Sequence, residues 1–208
     1  RGLLPGGVSE LGGNLMCISQ RGRQVGRGGP VEDTARVLSS YLDGVIIRTY
    51  SQSDLESYAA VSSIPVINGL TDERHPCQAL ADLMTIAEFH DDLASVKVVY
   101  LGDGNNVSNS LANICALMGA HVVVCTPPEL EPPQWAMAEA KELAARSGGK
   151  AEFMNDAAAA VRDADLLYTD LLFRRRPQRN PAQHITLEHS RTEALLLHKP
   201  ARQRPRRP

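Results

Sequence analysis

Apolar positions along this chain fall into two kinds of pattern, and the two alternate. Val31, Ala35, Leu38 and Leu42 follow Pro30 at helical spacing and predict an amphipathic helix over 31–42. Gly44-Val45-Ile46-Ile47-Arg48 is apolar without alternation and reads as a short buried strand of the parallel type. The pattern goes on with a helix over 53–61, a strand over 64–67, and a long helix over 76–89 with Leu80, Leu83, Met84 and Ala87 on one face. Beyond it come strands at 96–101, 121–125, 151–154 and 165–168, separated by helices at 106–118, 132–146 and 157–162. Strands alternating with helices predict an α/β fold with parallel sheets wound by right-handed crossovers. A polar stretch near Phe89–Ser95 marks a change of unit, so the expectation is two doubly wound parallel-sheet domains, 1–90 and 91–170, joined by the long helix. After Asp170 the periodicity stops, and 171–208 reads as a divergent, disordered tail.

Composition narrows the class. Hydrophobic residues make up 43% of the 208 positions, ordinary for a globular chain, and no apolar run has the length of a membrane span. The four cysteines (Cys17, Cys77, Cys115 and Cys125) have neither metal-site nor disulfide-framework spacing. Cys115 and Cys125 lie in apolar segments and are expected as buried free thiols, which fits a cytoplasmic protein. The net charge of −2 hides an asymmetry: 171–208 carries nine Arg and one Lys against Glu188 and Glu193, about +8, leaving about −10 for the rest. No aromatic residue is interleaved with the terminal arginines, so nucleic-acid stacking has little support there.

The densest chemistry is the run His75-Pro76-Cys77-Gln78-Ala79-Leu80-Ala81-Asp82-Leu83, entered through Asn68-Gly69-Leu70-Thr71-Asp72. Proline suits the first position of a helix, so His75 stands at a helix entrance, and Gln78 returns to the same side one turn later. A helix N-terminus adds partial positive charge and unsatisfied N–H groups. An imidazole donor and a carboxamide aimed at a small carbonyl-bearing anion would follow from that placement. Arg48 at a strand end, Asn105-Asn106 after another strand and Asp170 after a third lie where open parallel sheets bind ligands. The Gly102-Asp103-Gly104 turn lacks the third glycine of a dinucleotide loop, since Val107 stands there, and a dehydrogenase is disfavoured.

The HPCQALADL run, its NGLTDE approach, the segment from Gln24 to Leu38, the run from Gly102 to Ser110 and Tyr168-Thr169-Asp170 appear in one order that resembles the aspartate/ornithine carbamoyltransferase family, nearer its ornithine branch. The resemblance spans about residues 7–170. It implies a two-domain α/β enzyme, usually a trimer, that uses no cofactor or metal. It further implies that carbamoyl phosphate is held by Arg48 and His75 on the carbamoyl oxygen and by Gln78 on the carbamoyl nitrogen, with Gln24 reaching phosphate across a subunit boundary. Asn106 and Asp170 would hold the acceptor amino acid, ornithine, which would become citrulline as part of arginine biosynthesis.

Two departures accompany the resemblance. The family's Ser-Thr-Arg-Thr phosphate loop is expected just before Arg1, and Gly2-Leu3-Leu4-Pro5-Gly6 does not read as the helix that follows it. Tyr168-Thr169-Asp170 leads into Leu171-Leu172-Phe173-Arg174 rather than a Trp and Ser-Met-Gly, and the later His-Cys-Leu-Pro motif has only an echo at His198-Lys199-Pro200. The expectation is a carbamoyltransferase truncated in both domains, with a catalytically inactive relative that keeps only folding or subunit surfaces as the alternative.

Overall fold

The structure is a computed structural model and describes residues 3–18 and 30–170, with side chains from Gly6 onward. Gln24 and the segment 171–208 lie outside the described residues. Helices α1 (Leu3–Glu10), α2 (Val31–Ser39), α3 (Gln52–Val61), α4 (Pro76–Phe89), α5 (Asn106–Leu117), α6 (Gln134–Ser147) and α7 (Ala157–Ala160) alternate with strands β1 (Val45–Arg48), β2 (Val66–Leu70), β3 (Lys97–Leu101), β4 (His121–Cys125), β5 (Lys150–Met154) and β6 (Leu166–Thr169). β1 and β2 form a two-stranded sheet, and β5-β4-β3-β6 a four-stranded one. Every pairing in the larger sheet is parallel. The fold is α/β.

The chain divides into two compact units. The first comprises Arg1–Val45 and Ser53–Ile67, the second Ile46–Gln52 and everything from Asn68 onward. In the first, α2 buries Ala35 fully and half-buries Val31 and Leu38, as its spacing predicts, while Leu42, also half-buried, falls beyond the helix. It ends early, at Ser39, whose hydroxyl donates to Ala35 O and lies 3.2 Å from the Ser62 hydroxyl. The N-terminal segment corrects the reading of 2–6: α1 forms across Pro5, Gly6 and Gly7. Pro5 is the third helical residue, where the missing N–H is one that a first turn leaves unpaired anyway. Gly12, at φ +80°, closes the segment.

The second unit is organised by its sheet. Val98, Val99, Tyr100, Val122, Val123 and Val124 are buried, the β-branched composition that suits a covered parallel sheet. One face packs on Leu111, Ala112 and Cys115 of α5, Ala140 of α6 and Ile86 of α4. The other meets Ala160 of α7. Cys115 and Cys125 are buried free thiols, and burial pushes the Cys115 thiol up to about 12.

Two burial patterns differ from expectation. β1 alternates, with Ile46 and Arg48 exposed, because a two-stranded sheet covers its strands less completely than the larger sheet does. On α4 the predicted apolar face is largely outside: Leu80 is 51% exposed and Met84 71%. Ala79 and Ile86 are buried instead, with Asp82 and Leu83 half-buried between them. The helix is rotated from the reading that its largest side chains suggest, and a carboxylate comes to share the stripe with small apolar groups.

Candidate active site

All the described candidate residues belong to the second unit: Arg48, His75, Gln78, Asn106 and Asp170. The register of the large sheet explains part of this. Leu101 of β3 is level with Cys125 of β4 and with Thr169 of β6, so the loops leaving β3 and β6 emerge side by side. Strand order runs from β3 toward β4 and β5 on one side and to β6 on the other. This reversal is the kind of switch point where such sheets bind ligands.

The loop after β3 is closely fixed. Gly104 N–H donates to Leu130 O at 2.7 Å, and a Cβ at Gly104 would lie 2.2 Å from Pro132 N, so only glycine fits. Asn105 caps α5: its Oδ1 accepts from Val107 N–H at 2.9 Å and Ser108 N–H at 3.1 Å, while its own N–H donates to Ser108 Oγ at 2.9 Å. The remaining Asn105 Nδ2 donates to Asp170 Oδ2 at 3.0 Å. Thus Asp170 is tied to the β3 loop and aimed at the switch point.

The approach to His75 is held by α5. Asn106 Nδ2 donates to Thr71 O at 2.6 Å, Asn109 Nδ2 to Glu73 O at 3.2 Å, and Ser110 Oγ accepts from His75 N–H at 2.7 Å. Thr71, fully buried, donates through Oγ1 to Gln52 Oε1 at 2.8 Å and accepts from Arg74 N–H at 3.1 Å. Arg74 pairs with Glu139 and lies 4.6 Å over the Trp135 ring. His75 then stands at the entrance of α4, followed by Pro76.

Electrostatics draw these groups into one site. Burial, and then the Arg48 guanidinium, lower the His75 pKa below its ordinary 6.5, against the opposing pull of Asp82 and Asp170. The imidazole is therefore neutral near pH 7. Its Nδ1 is buried with no hydrogen-bond partner among the described residues. Gln78 Nε2 donates to Asp82 Oδ1 at 2.9 Å. Burial raises the Asp82 pKa, while Gln78, the Tyr168 hydroxyl and His75 oppose the rise and Asp170 adds to it. Tyr168 stacks on Tyr100 with centroids 5.9 Å apart, and burial beside Asp82 and Asp170 pushes its phenol up.

Arg48, His75, Gln78 and Asp170 are thus brought into electrostatic or hydrogen-bond range through one another and Asp82. Asn106 sits on the same helix entrance as Asn105, with its amide N–H engaged on Thr71. Reading the sequence for chemistry gave no role to Asp82, Ser110 or Tyr168, and named Asn105 beside Asn106 without its bond to Asp170. Asp82 had a usable signal, since 75, 78 and 82 share one helical face.

Comparison with known proteins fits this arrangement. A family model described as the carbamoyl-P binding domain of aspartate/ornithine carbamoyltransferase matches residues 5–88, and one for the Asp/Orn binding domain matches 94–190. The second match continues past Asp170 into the segment read as divergent. Ornithine carbamoyltransferase from Bacillus thuringiensis subsp. konkukian is 49% identical over 165 residues, 79% of this chain and 52% of that protein. The Gloeobacter violaceus enzyme of that name is 49% identical over 162 residues, 78% of this chain and 52% of its own. The structure of ornithine carbamoyltransferase from Pyrococcus furiosus superposes with a TM-score of 0.75 at 47% identity, covering 78% of this chain and 52% of that one. The chain spans about half the length of these relatives. With the two family models following one another along the chain and the strand-end groups gathered as their order requires, this chain belongs to the aspartate/ornithine carbamoyltransferase family.

Proposed function

We propose that this chain carries the carbamoyl-transfer site of an ornithine carbamoyltransferase, passing the carbamoyl group of carbamoyl phosphate to the δ-amine of ornithine. The observation that carries the reading is the neutral His75 at a helix entrance, electrostatically coupled to Arg48 on one side and to Asp82 and Asp170 on the other. In such a transfer the amine lone pair attacks the carbonyl carbon and negative charge grows on the carbonyl oxygen. The C–O bond to phosphate then breaks, phosphate leaves with the electron pair, and the amine gives up a proton. Arg48 and His75 are the donors suited to that oxygen, and preorganised donors of this kind typically contribute on the order of 3 kcal/mol each. Gln78 suits the carbamoyl nitrogen, and Asp170 suits an α-ammonium group, with Asn106 beside it.

The reading extends to the domain roles. Residues 1–90 serve carbamoyl phosphate and 91–170 the amino acid, with 171–208 apart. It extends also to a cytoplasmic homotrimer in which Gln24 completes the phosphate site of a neighbouring subunit. The product, citrulline, places the reaction in arginine biosynthesis.

The test is direct. The purified chain, given radiolabelled carbamoyl phosphate and ornithine, is expected to form labelled citrulline with an equal amount of phosphate. That rate should fall by about two orders of magnitude or more in Arg48→Ala. Absence of citrulline above the uncatalysed background at high protein concentration would overturn the activity and leave an inactive relative. Light scattering during elution from a sizing column checks the trimer.

A further inference from the structure

The buried stripe of α4 contains one acid, Asp82, and its Oδ1 accepts from Gln78 Nε2 at 2.9 Å. An ionised carboxylate can only accept hydrogen bonds, so the end of the Gln78 amide that faces it must be the NH2 group. Turning the amide over would set Oε1 against Oδ1, acceptor against acceptor, between two half-buried side chains. Gln78 therefore directs its oxygen away from Asp82. An oxygen is an acceptor and calls for a donor.

That fixed polarity bears on substrate choice. Small acyl phosphates differ little in shape at the acyl end, but carbamoyl phosphate presents an NH2 group where acetyl phosphate presents a methyl. We propose that Asp82 is a positioning residue that locks the Gln78 carboxamide oxygen-outward and thereby makes the site select a carbamoyl over an acetyl phosphate. This inference rests on the carbamoyl-transfer reading. Three further observations support it. Asp82 Oδ1 accepts from Gln78 Nε2, while the other oxygen, Oδ2, is buried without a hydrogen bond of ordinary geometry among the described residues. Gln78 and the Tyr168 hydroxyl both favour the ionised form against the cost of burial. The charged and titratable groups around Asp82 come from separate elements: His75 at the entrance of α4, Cys115 on α5, and Tyr168 and Asp170 at the end of β6.

The experiment compares the full chain with its Asp82→Ala and Asp82→Asn variants, each checked for folding by circular dichroism. Titration calorimetry with freshly prepared carbamoyl phosphate and with acetyl phosphate gives a preference ratio for each protein. The unmodified chain is expected to favour carbamoyl phosphate by about tenfold or more, the scale of one well-made hydrogen bond in a site built for it. Asp82→Ala should bring the ratio within about threefold of unity by weakening carbamoyl phosphate while acetyl phosphate binds as before. Asp82→Asn, whose amide can turn either an oxygen or an NH2 group toward Gln78 and so does not fix its polarity, should give a ratio between those of the unmodified chain and Asp82→Ala.

An unchanged ratio in Asp82→Ala, or an equal loss of both ligands, would overturn the inference and leave the carbamoyl-transfer reading in place. If the unmodified chain binds both ligands without preference, the inference also fails alone. If it binds neither, the carbamoyl-transfer reading fails and the selectivity falls with it. A measurement on the unmodified chain guards against a variant that does not fold. The Gln78 side-chain amide resonances should shift with pH around a midpoint above the ordinary Asp value of 3.8. Gln78 resonances indifferent to pH across that range would overturn the lock.

Discussion

Replacing Ser110 with alanine removes a single oxygen, and the structure says where the loss is felt. Ser110 is 7% exposed, and its Oγ accepts from the His75 N–H at 2.7 Å. Alanine leaves that N–H at the entrance of α4 without its acceptor, in a position largely closed to water. An unsatisfied buried donor costs about 1–3 kcal/mol. Ser110 lies within α5, where alanine is the better helix former by about 0.5 kcal/mol, a partial offset. The net expectation is about 1–2 kcal/mol of lost stability. Urea unfolding followed by circular dichroism measures it, and the single Trp135 gives an independent fluorescence signal. Hydrogen exchange at the His75 amide supplies the local readout, protected in the unmodified chain and faster in Ser110→Ala. A stability change below about 0.5 kcal/mol together with unaltered His75 exchange would refute the claim that this bond holds the turn.

Two further outcomes follow from the same site. Burial and Arg48 hold the His75 pKa below its ordinary 6.5, so between 6.5 and the folded value the unfolded chain binds the proton more readily than the folded one. His75 therefore contributes stability above pH 6.5 that is lost as pH falls through that window; His75→Gln should flatten this slope, and proton NMR of the unmodified chain should place the His75 midpoint below 6.5. Asn105→Ala removes the acceptor for two helix N–H groups and the donor to Asp170, and should cost about 1–2 kcal/mol in urea unfolding.

Much of the fold was legible because the periodicities are strong. The valine-rich strands β3 and β4 and the entrance of α4 at Pro76 fall where the apolar pattern and the proline place them. The face of α4 was not legible, for a physical reason. A reading by side-chain size favours Leu80 and Met84, but close packing beside the sheet admits the small Ala79 and the single branched Ile86. That error of rotation concealed Asp82. Arg48, His75, Asn106 and Asp170 stand at or just beyond strand ends and helix entrances, which changes in the apolar pattern mark. Partners such as Ser110 were hidden because its hydrogen bond with the His75 N–H joins positions far apart in the chain, and no local pattern encodes it.

The composition of α5 shows why those partners are polar. Its first turns, Asn106-Val107-Ser108-Asn109-Ser110, are poor helix formers. The loop carrying His75 runs through turns that leave backbone groups without secondary-structure partners, and buried groups of that kind must be paired. Thr71 O, Glu73 O and His75 N–H are such groups, and Asn106, Asn109 and Ser110 meet them in that order from adjacent positions on one helical face. An apolar helix here would pack well and leave three orphaned groups, each about as costly as a lost hydrogen bond. The capping box at Asn105 and Ser108 offsets the weak propensity at the helix start. The segment that looks like an acceptor-binding motif therefore has a second task, fixing the loop that aims His75. With one Nδ2 hydrogen committed to Thr71 O, Asn106 keeps its oxygen and a second amide hydrogen to offer, so it can both accept from an ammonium group and donate to a carboxylate.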